Sequence, residues 1–262
     1  MRAKRAVILG CGPAGLFAAV AAADAGYNVS IYSRLRKSEM FGAQYLHASI
    51  PGLLIDEPPR AVIYSLVGSV DDYRRKVYGP DGNANLDVSP ANLAGNHLAW
   101  DIRAAYDMAW KWMADRITDV DVTTEWLASP PWGAKDKVIW SIPTRKLCAA
   151  GHNFSSIDVW AKGDAPERGE SCPIAVDPFT VVCNGEPSPG WYRASNVFGY
   201  RTAEWPFHSK PPLGAVARLV KPISTNCDCW TGKNILRVGR YGRWEKGELS
   251  HQAYERVAQW LG

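Results

Sequence analysis

Long apolar runs, blocks of like charge, clustered cysteines, repeats and low-complexity tracts are all missing from this 262-residue chain. No window approaches the ~18 consecutive apolar residues of a membrane-spanning helix. The basic start MRAKR and the apolar residues after it mimic a secretory signal, but Gly10, Gly12 and Pro13 interrupt the run and no A-x-A-like cleavage site follows. A soluble, cytoplasmic protein without a membrane partner is expected. Lys and Arg (30) barely outnumber Asp and Glu (26) and are scattered, so charge neither demands nor excludes a nucleic acid. Of the cysteines Cys11, Cys148, Cys172, Cys183, Cys227 and Cys229, only the last two are close, as C-x-C. A zinc site would draw on C-x-x-C-type pairs joined by a second pair or by histidines, which this spacing lacks, so reduced structural thiols and no metal are expected. No Ser/His/Asp arrangement for nucleophilic catalysis stands out either.

What the chain does have is 47% hydrophobic residues, enough for a sizeable core, and 12 tryptophans, which suit flat aromatic walls as well as core filling. Ala6–Leu9 reads as a buried strand. Pro13 sits where a first helical turn tolerates it, Leu16–Ala25 is apolar all round, and Gly26 stops the helix. YNVSIYS (27–33) then alternates like a second strand, completing a β-α-β unit. Residues 35–90 are rich in loop signals, with RAVIYSLVG a possible strand. Ala105, Met108, Ala109, Trp112 and Met113 mark an amphipathic helix, and KVIWSIP a buried strand. Residues 157–223 read as antiparallel strands, NILRVG as another strand. Ala253, Tyr254, Val257, Ala258 and Leu261 form the stripe of a closing helix.

Between the first strand and its helix stands G-x-G-x-x-G. Gly10 permits a tight turn, Gly12 lets the backbone approach a pyrophosphate, Gly15 lets helix and strand pack closely, and the helix N-terminus faces the anion. Followed by a second strand, this pattern points to dinucleotide binding. At the end of that strand the usual ribose-binding carboxylate is replaced by Ser33, with Arg34 and Arg36 beyond it. Arginines there suit the 2′-phosphate of NADP, or are simply solvated, so this half of the chain leaves cofactor identity open.

The C-terminal segment, from NILRVG through VGRYGRWEKGELS to the closing helix, decides further. Paired with the N-terminal glycine unit, it resembles the FAD-binding clan of amine oxidases, protoporphyrinogen oxidase and UDP-galactopyranose mutase. VIWSIPTRKLC is similar to the clan's strand beside the cofactor, and MFGAQYLH stands in the place of its R-x-x-x-G-G turn, with Gly42 matching one glycine and Ala43 replacing the other. Together the four pieces touch about a third of the chain, which is much shorter than typical members and resembles compact forms that phages encode.

The resemblance implies an α/β fold with a Rossmann-like FAD-binding domain (1–60, 98–150 and 232–262) and a reduced antiparallel β substrate-binding part (61–97 and 151–231). It implies FAD contacts from Gly10, Gly12, Pro13, Ala14, Gly15, Ser33 and Arg34, from Gly42, Ala43 and Gln44, and from Gly239, Arg240, Trp244 and Leu249. Arg240 would lie near the pyrophosphate and Gly239 under the flavin. His47 is the candidate general base, Tyr45 a stacking platform, and Arg201 or Arg193 a clamp for an anionic substrate group; for each arginine a surface ion pair is the plain alternative. The expected function is FAD-dependent oxidation of a C–N bond in a small amine or a modified nucleobase, with a nucleic acid a possible partner. A mutase-like reaction on a nucleotide sugar and a non-catalytic dinucleotide-binding role are the alternatives.

Overall fold

Ala6, Val7, Ile8 and Leu9 are apolar without a break because the strand they form has no exposed face; each is fully buried. The computed structural model describes residues 4–34, 40–41, 45–54, 57–80, 89–164, 171–210 and 217–262. In chain order its main elements are β1 (Arg5–Leu9), α1 (Pro13–Asp24), β2 (Asn28–Ser33), β3 (Arg60–Val67), α2 (Val70–Tyr78), β4 (Gly95–Ala99), α3 (Ile102–Met113), β5 (Ile117–Asp119) and α4 (Thr124–Ala128). There follow β6 (Lys137–Trp140), α5 (Thr144–Leu147), β7 (Phe154–Gly163), β8 (Thr180–Asn184), β9 (Arg193–Val197), β10 (Tyr200–Pro206), β11 (Ala217–Thr225), β12 (Ile235–Arg237), α6 (Gly239–Arg243) and α7 (Ser250–Leu261).

Two sheets result, as the α/β reading anticipated. The first is parallel, in the order β12-β6-β1-β2-β5, with β1 at its centre pairing Val7 to Ser30 of β2 and to Val138 of β6. α1 packs between this sheet, α3 and α7, so every residue from Gly15 to Ala22 is buried. That burial explains why its sequence shows no polar face. The second sheet, β11-β7-β10-β9-β8-β3-β4, is antiparallel except where β3 runs parallel to β8. Its β9–β10 hairpin turns on Phe198 and Gly199, both at positive φ (52° and 78°), the geometry whose twist matches that of paired strands.

The irregular stretch expected over 35–90 contains β3 and also α2. That helix escaped notice because VDDYRRKVY is largely charged; only Tyr73 and Val77 are buried, and the start is fixed by the Ser69 hydroxyl, which accepts from the Asp72 N–H at 3.1 Å. In α3 the buried face is Ile102, Ala105, Tyr106, Ala109 and Met113, while Trp112, placed in the expected stripe, is exposed. Cys227 and Cys229, read as lacking partners, acquire them in the fold: β6 and β12 are neighbours, and the segments flanking them carry Cys148 and His152 to the same place. Among the described residues no helix is long and apolar enough to cross a membrane.

Candidate active site

β1 delivers the chain to Gly10, whose φ of +104° sharpens the turn and whose N–H donates to Tyr32 O at 3.0 Å. A β-carbon on Gly10 would lie 2.5 Å from Ser141 Oγ, and one on Gly15 would lie 2.0 Å from Gly10 O, so both positions exclude any side chain. Gly12 is different: among the described residues a β-carbon there meets no atom within 4 Å. It is the N-cap of α1, and among the described residues no side chain caps the first amides of that helix. Pro13 occupies the first turn and Ala14 follows it.

Ser33 supports the loop from within, accepting from the Cys11 N–H at 3.0 Å. Arg34 does not face the loop as a free cation; it pairs with Asp121 at 2.6 Å on the surface. Tyr106 of α3 donates to Cys11 O at 2.8 Å and closes the loop from the other side.

The C-terminal segment meets this loop. Gly239 (φ +69°) opens α6 so close to α1 that a β-carbon on it would sit 2.5 Å from Ala14 Cβ. Arg240, expected beside the pyrophosphate, donates from Nη2 to Pro222 O of β11 at 3.1 Å; its Nε is buried without a hydrogen-bond partner among the described residues. Trp244 is a core residue, 3% exposed, edge-on to Phe154 at 5.4 Å and donating to Ser155 O at 2.9 Å. Leu249 caps α7, its N–H donating to Gln252 Oε1 at 2.8 Å. Gly42, Ala43, Gln44 and Arg36 lie outside the described residues.

Tyr45 and His47 stand at a second focus. Leu46 and Trp100 exchange backbone hydrogen bonds of 3.0 Å, which lays this segment beside the end of β4. Tyr45 stacks on His47 with ring centroids 4.5 Å apart, and His97 of β4 and His251 of α7 lie 6.3 and 6.2 Å from the His47 ring. Tyr64 of β3 meets Tyr45 hydroxyl to hydroxyl at 3.3 Å and His97 edge-on at 4.8 Å. His97 Nε2 and His251 Nδ1 are buried without hydrogen-bond partners among the described residues.

These two histidines were not singled out in the sequence. The available signal was position: His251 shares the helical face of Tyr254 and Ala258, which packs on the core.

Burial first, then His251 and His97, hold the pKa of His47 down to about 4 from 6.5, although the residue as a whole is exposed. Burial likewise lowers His251, against Glu255 and Glu248, and raises Tyr45 and Tyr64. His47, His251, Tyr45 and Tyr64 are therefore all pushed toward their uncharged forms, and the His47 imidazole is able to accept a proton. Because the unfolded chain protonates His47 near 6.5 and the folded one near 4, this residue makes stability fall as pH drops from about 6.5 to 4. The His47 ring resonances, followed by NMR, are expected to titrate with a midpoint below 5; a midpoint at 6 or above would refute the packed arrangement.

The proposed clamps are already engaged. Arg201 forms a double contact with Asp164, 3.2 Å from each of Nε and Nη2. Arg193 pairs with Glu204 at 2.6 Å inside the antiparallel sheet. Arg201 is thus held in a partly exposed ion pair near the start of β10 and Arg193 in a buried one.

No protein-family model matches the sequence, and no curated protein matches it. Solved structures do match. The peptidyl tryptophan dihydroxylase QhpG, essential for tryptophylquinone cofactor biogenesis, superposes with a TM-score of 0.56 at 13% identity, over 99% of this chain and 66% of its own. The 2,6-dihydroxypyridine-3-hydroxylase from Arthrobacter nicotinovorans gives 0.56 at 11% identity, over 98% of this chain and 83% of its own. Klebsiella pneumoniae HpxO complexed with FAD and uric acid gives 0.50 at 12% identity, over 97% and 78%. At such identities the likeness is one of fold. Two of the three are hydroxylases by name and the third is complexed with FAD; none is named as an amine oxidase, protoporphyrinogen oxidase or the mutase.

Proposed function

We propose that this chain is an FAD-dependent oxidoreductase, with the adenosine diphosphate half of the cofactor along Gly10–Gly15 and the ring directed toward Tyr45, His47, His97 and His251. The observation that carries the reading is the approach of Gly239 to Ala14, which brings opposite ends of the sequence to one glycine turn. The residues present fit such a group: the open space before Gly12, the uncapped first amides of α1, and a turn that only glycine can form at positions 10 and 15. The Arg34–Asp121 pair favours FAD over a 2′-phosphorylated nucleotide, since the cation is already neutralised.

When bound, the flavin supplies the redox step by accepting a hydride equivalent from an activated C–H bond. The protein's own part is to hold a substrate against an aromatic and imidazole face, with His47 as proton acceptor. That face suits a small planar or neutral group. Oxidation of an amine C–N bond, on a small molecule or a modified nucleobase, is the narrower form carried by the sequence resemblance; ring hydroxylation is the form that the neighbours' names suggest.

The test is direct. Purified protein mixed with FAD and freed of excess is expected to retain about one flavin per chain, identified by mass after denaturation. Failure to retain it, with no saturable quenching of FAD fluorescence, would overturn the assignment. Anaerobic bleaching of the bound flavin by amines supports C–N oxidation, whereas bleaching only by a reduced nicotinamide supports the hydroxylase form.

A further inference from the structure

Away from this site, four side chains with metal-binding atoms converge. Cys148 follows α5, His152 lies four residues on, and Cys227 and Cys229 sit in the segment joining β11 to β12. Their Sγ and Nδ1 atoms all lie within 4.8 Å of one another. Cys148 Sγ is 3.7 Å from Cys227 Sγ and 3.9 Å from Cys229 Sγ; His152 Nδ1 is 3.3 Å from Cys148 Sγ and 3.5 Å from Cys229 Sγ.

A single tetrahedral ion with bonds of ~2.3 Å to sulfur and ~2.05 Å to nitrogen separates two sulfurs by about 3.8 Å and sulfur from nitrogen by about 3.6 Å. The four spacings just given lie within a few tenths of an ångström of these values, and the two remaining pairs lie within 4.8 Å. They are far too long for a disulfide, whose sulfurs are ~2.0 Å apart. Three thiols around one imidazole have little to gain from one another as hydrogen-bond partners.

The surroundings also match a built site. His152 turns Nδ1 inward and Nε2 toward Asp228 Oδ1, 3.6 Å away, the outer carboxylate that commonly orients a ligating imidazole. The Cys227 N–H donates to Thr225 Oγ1 at 3.0 Å, and Arg237 donates to Cys227 O at 2.9 Å. Trp230 donates to Leu147 O at 3.2 Å while stacking on Trp140 at 4.9 Å. Both ligand-bearing segments are thus held in place by contacts of their own.

We propose that Cys148, His152, Cys227 and Cys229 form a closed Cys3His zinc site with a structural role. Four protein ligands leave no open position for a substrate or water, which is the mark of a structural rather than catalytic centre. Its place in the fold gives it a purpose: the chain leaves the parallel sheet after β6 toward β7, and returns from β11 to β12. The ion fastens the outgoing and returning segments where the two sheets join.

The experiment uses the full chain, purified in reductant without chelator. Elemental analysis is expected to find about one zinc per chain. Stripped protein given Co2+ is expected to develop thiolate-to-cobalt charge-transfer and tetrahedral d–d absorption that Zn2+ abolishes. Cys148→Ser and Cys227→Ser should each lower the zinc content at least tenfold, while Cys172→Ser, a buried cysteine elsewhere, leaves it unchanged. Zinc below a tenth of an equivalent together with no charge-transfer band on adding Co2+ to the wild-type chain overturns the proposal, and that result does not depend on whether any variant folds.

Discussion

Gly15→Ala is expected to unfold the protein or leave it too unstable to purify, while Gly12→Val folds normally and loses the flavin. The two glycines belong to one motif but answer to different constraints. At Gly15 the added carbon would lie 2.0 Å from Gly10 O, 2.7 Å from Ser141 Oγ and 2.9 Å from Gly10 C. Two of these atoms are backbone at the end of the central strand, and Ser141 Oγ is itself held by donating to Leu9 O at 2.7 Å. Relief requires α1 to lift off β1, and α1 is packed on α3 and α7 as well. The cost is placed at or beyond the ~1–3 kcal/mol usual for overpacking.

At Gly12 the backbone is extended (φ −70°, ψ 175°), a conformation any residue adopts, and no atom of the described residues stands within 4 Å of a new β-carbon. The stability change should stay near 1 kcal/mol, the scale of an N-cap substitution. The space the valine fills is the one assigned to the pyrophosphate. Thermal melts of the apo-proteins and flavin content of the reconstituted ones separate the two effects. A Gly12→Val protein that binds FAD as well as wild type would remove the cofactor from this loop.

This contrast also shows what could be read from the sequence and what could not. The β1–α1–β2 unit was legible because its signals are local: an apolar run, glycines at fixed spacing, a proline in the first turn and Gly26 at the end. The second sheet was legible as β-rich, yet not its strand order, since the pairing of β3 with β8 depends on residues more than a hundred positions apart.

The candidate site divides in the same way. Gly10, Gly12 and Gly15 announce themselves, and Gly239 did so through its likeness to a known turn. His97 and His251 are single histidines in a strand and a helix, and only folding brings them to His47. The cysteines make the point most sharply. C-x-C alone says little, and its complement, Cys148 and His152, lies some eighty residues earlier. Arg201 and Arg193 were sound candidates by residue type, but whether a guanidinium is free depends on Asp164 and Glu204, which no spacing rule connects to them.

Glu204→Gln is expected to destabilise the protein by about 3–5 kcal/mol, the cost of removing one member of a buried charge network. Glu204 is 1% exposed. It accepts from Lys221 Nζ at 2.6 Å and Tyr192 OH at 2.8 Å, and pairs with Arg193 at 2.6 Å. One carboxylate thus ties β9 and β10 to β11 across β7. Burial alone would raise its pKa, but Arg193 and then Lys221 override that and hold it down to about 2 from 4.5. A depressed carboxylate stabilises above its unfolded pKa, so this contribution is complete above pH 4.5 and drains away toward pH 2, on the order of 3 kcal/mol in all.

Lys221 is lowered as well, which for a cation is a cost of keeping its proton in the fold, so its pH slope has the same sign as that of Glu204. Burial and then Arg193 lower it to about 7 from 10.5, with Glu204 opposing, so Arg193 is the cation that stays charged beside the carboxylate at alkaline pH. Between 7 and 10.5 the unfolded chain holds the proton that the folded one has released, and stability does not decline there on this account. Denaturant titrations from pH 2.5 to 9 on wild type and Glu204→Gln test both halves. The variant should be weaker at neutral pH and should lose the acid slope between 4.5 and 2.5. A variant within 1 kcal/mol of wild type, with that slope intact, would mean that the sheet is held by its apolar face and not by this network.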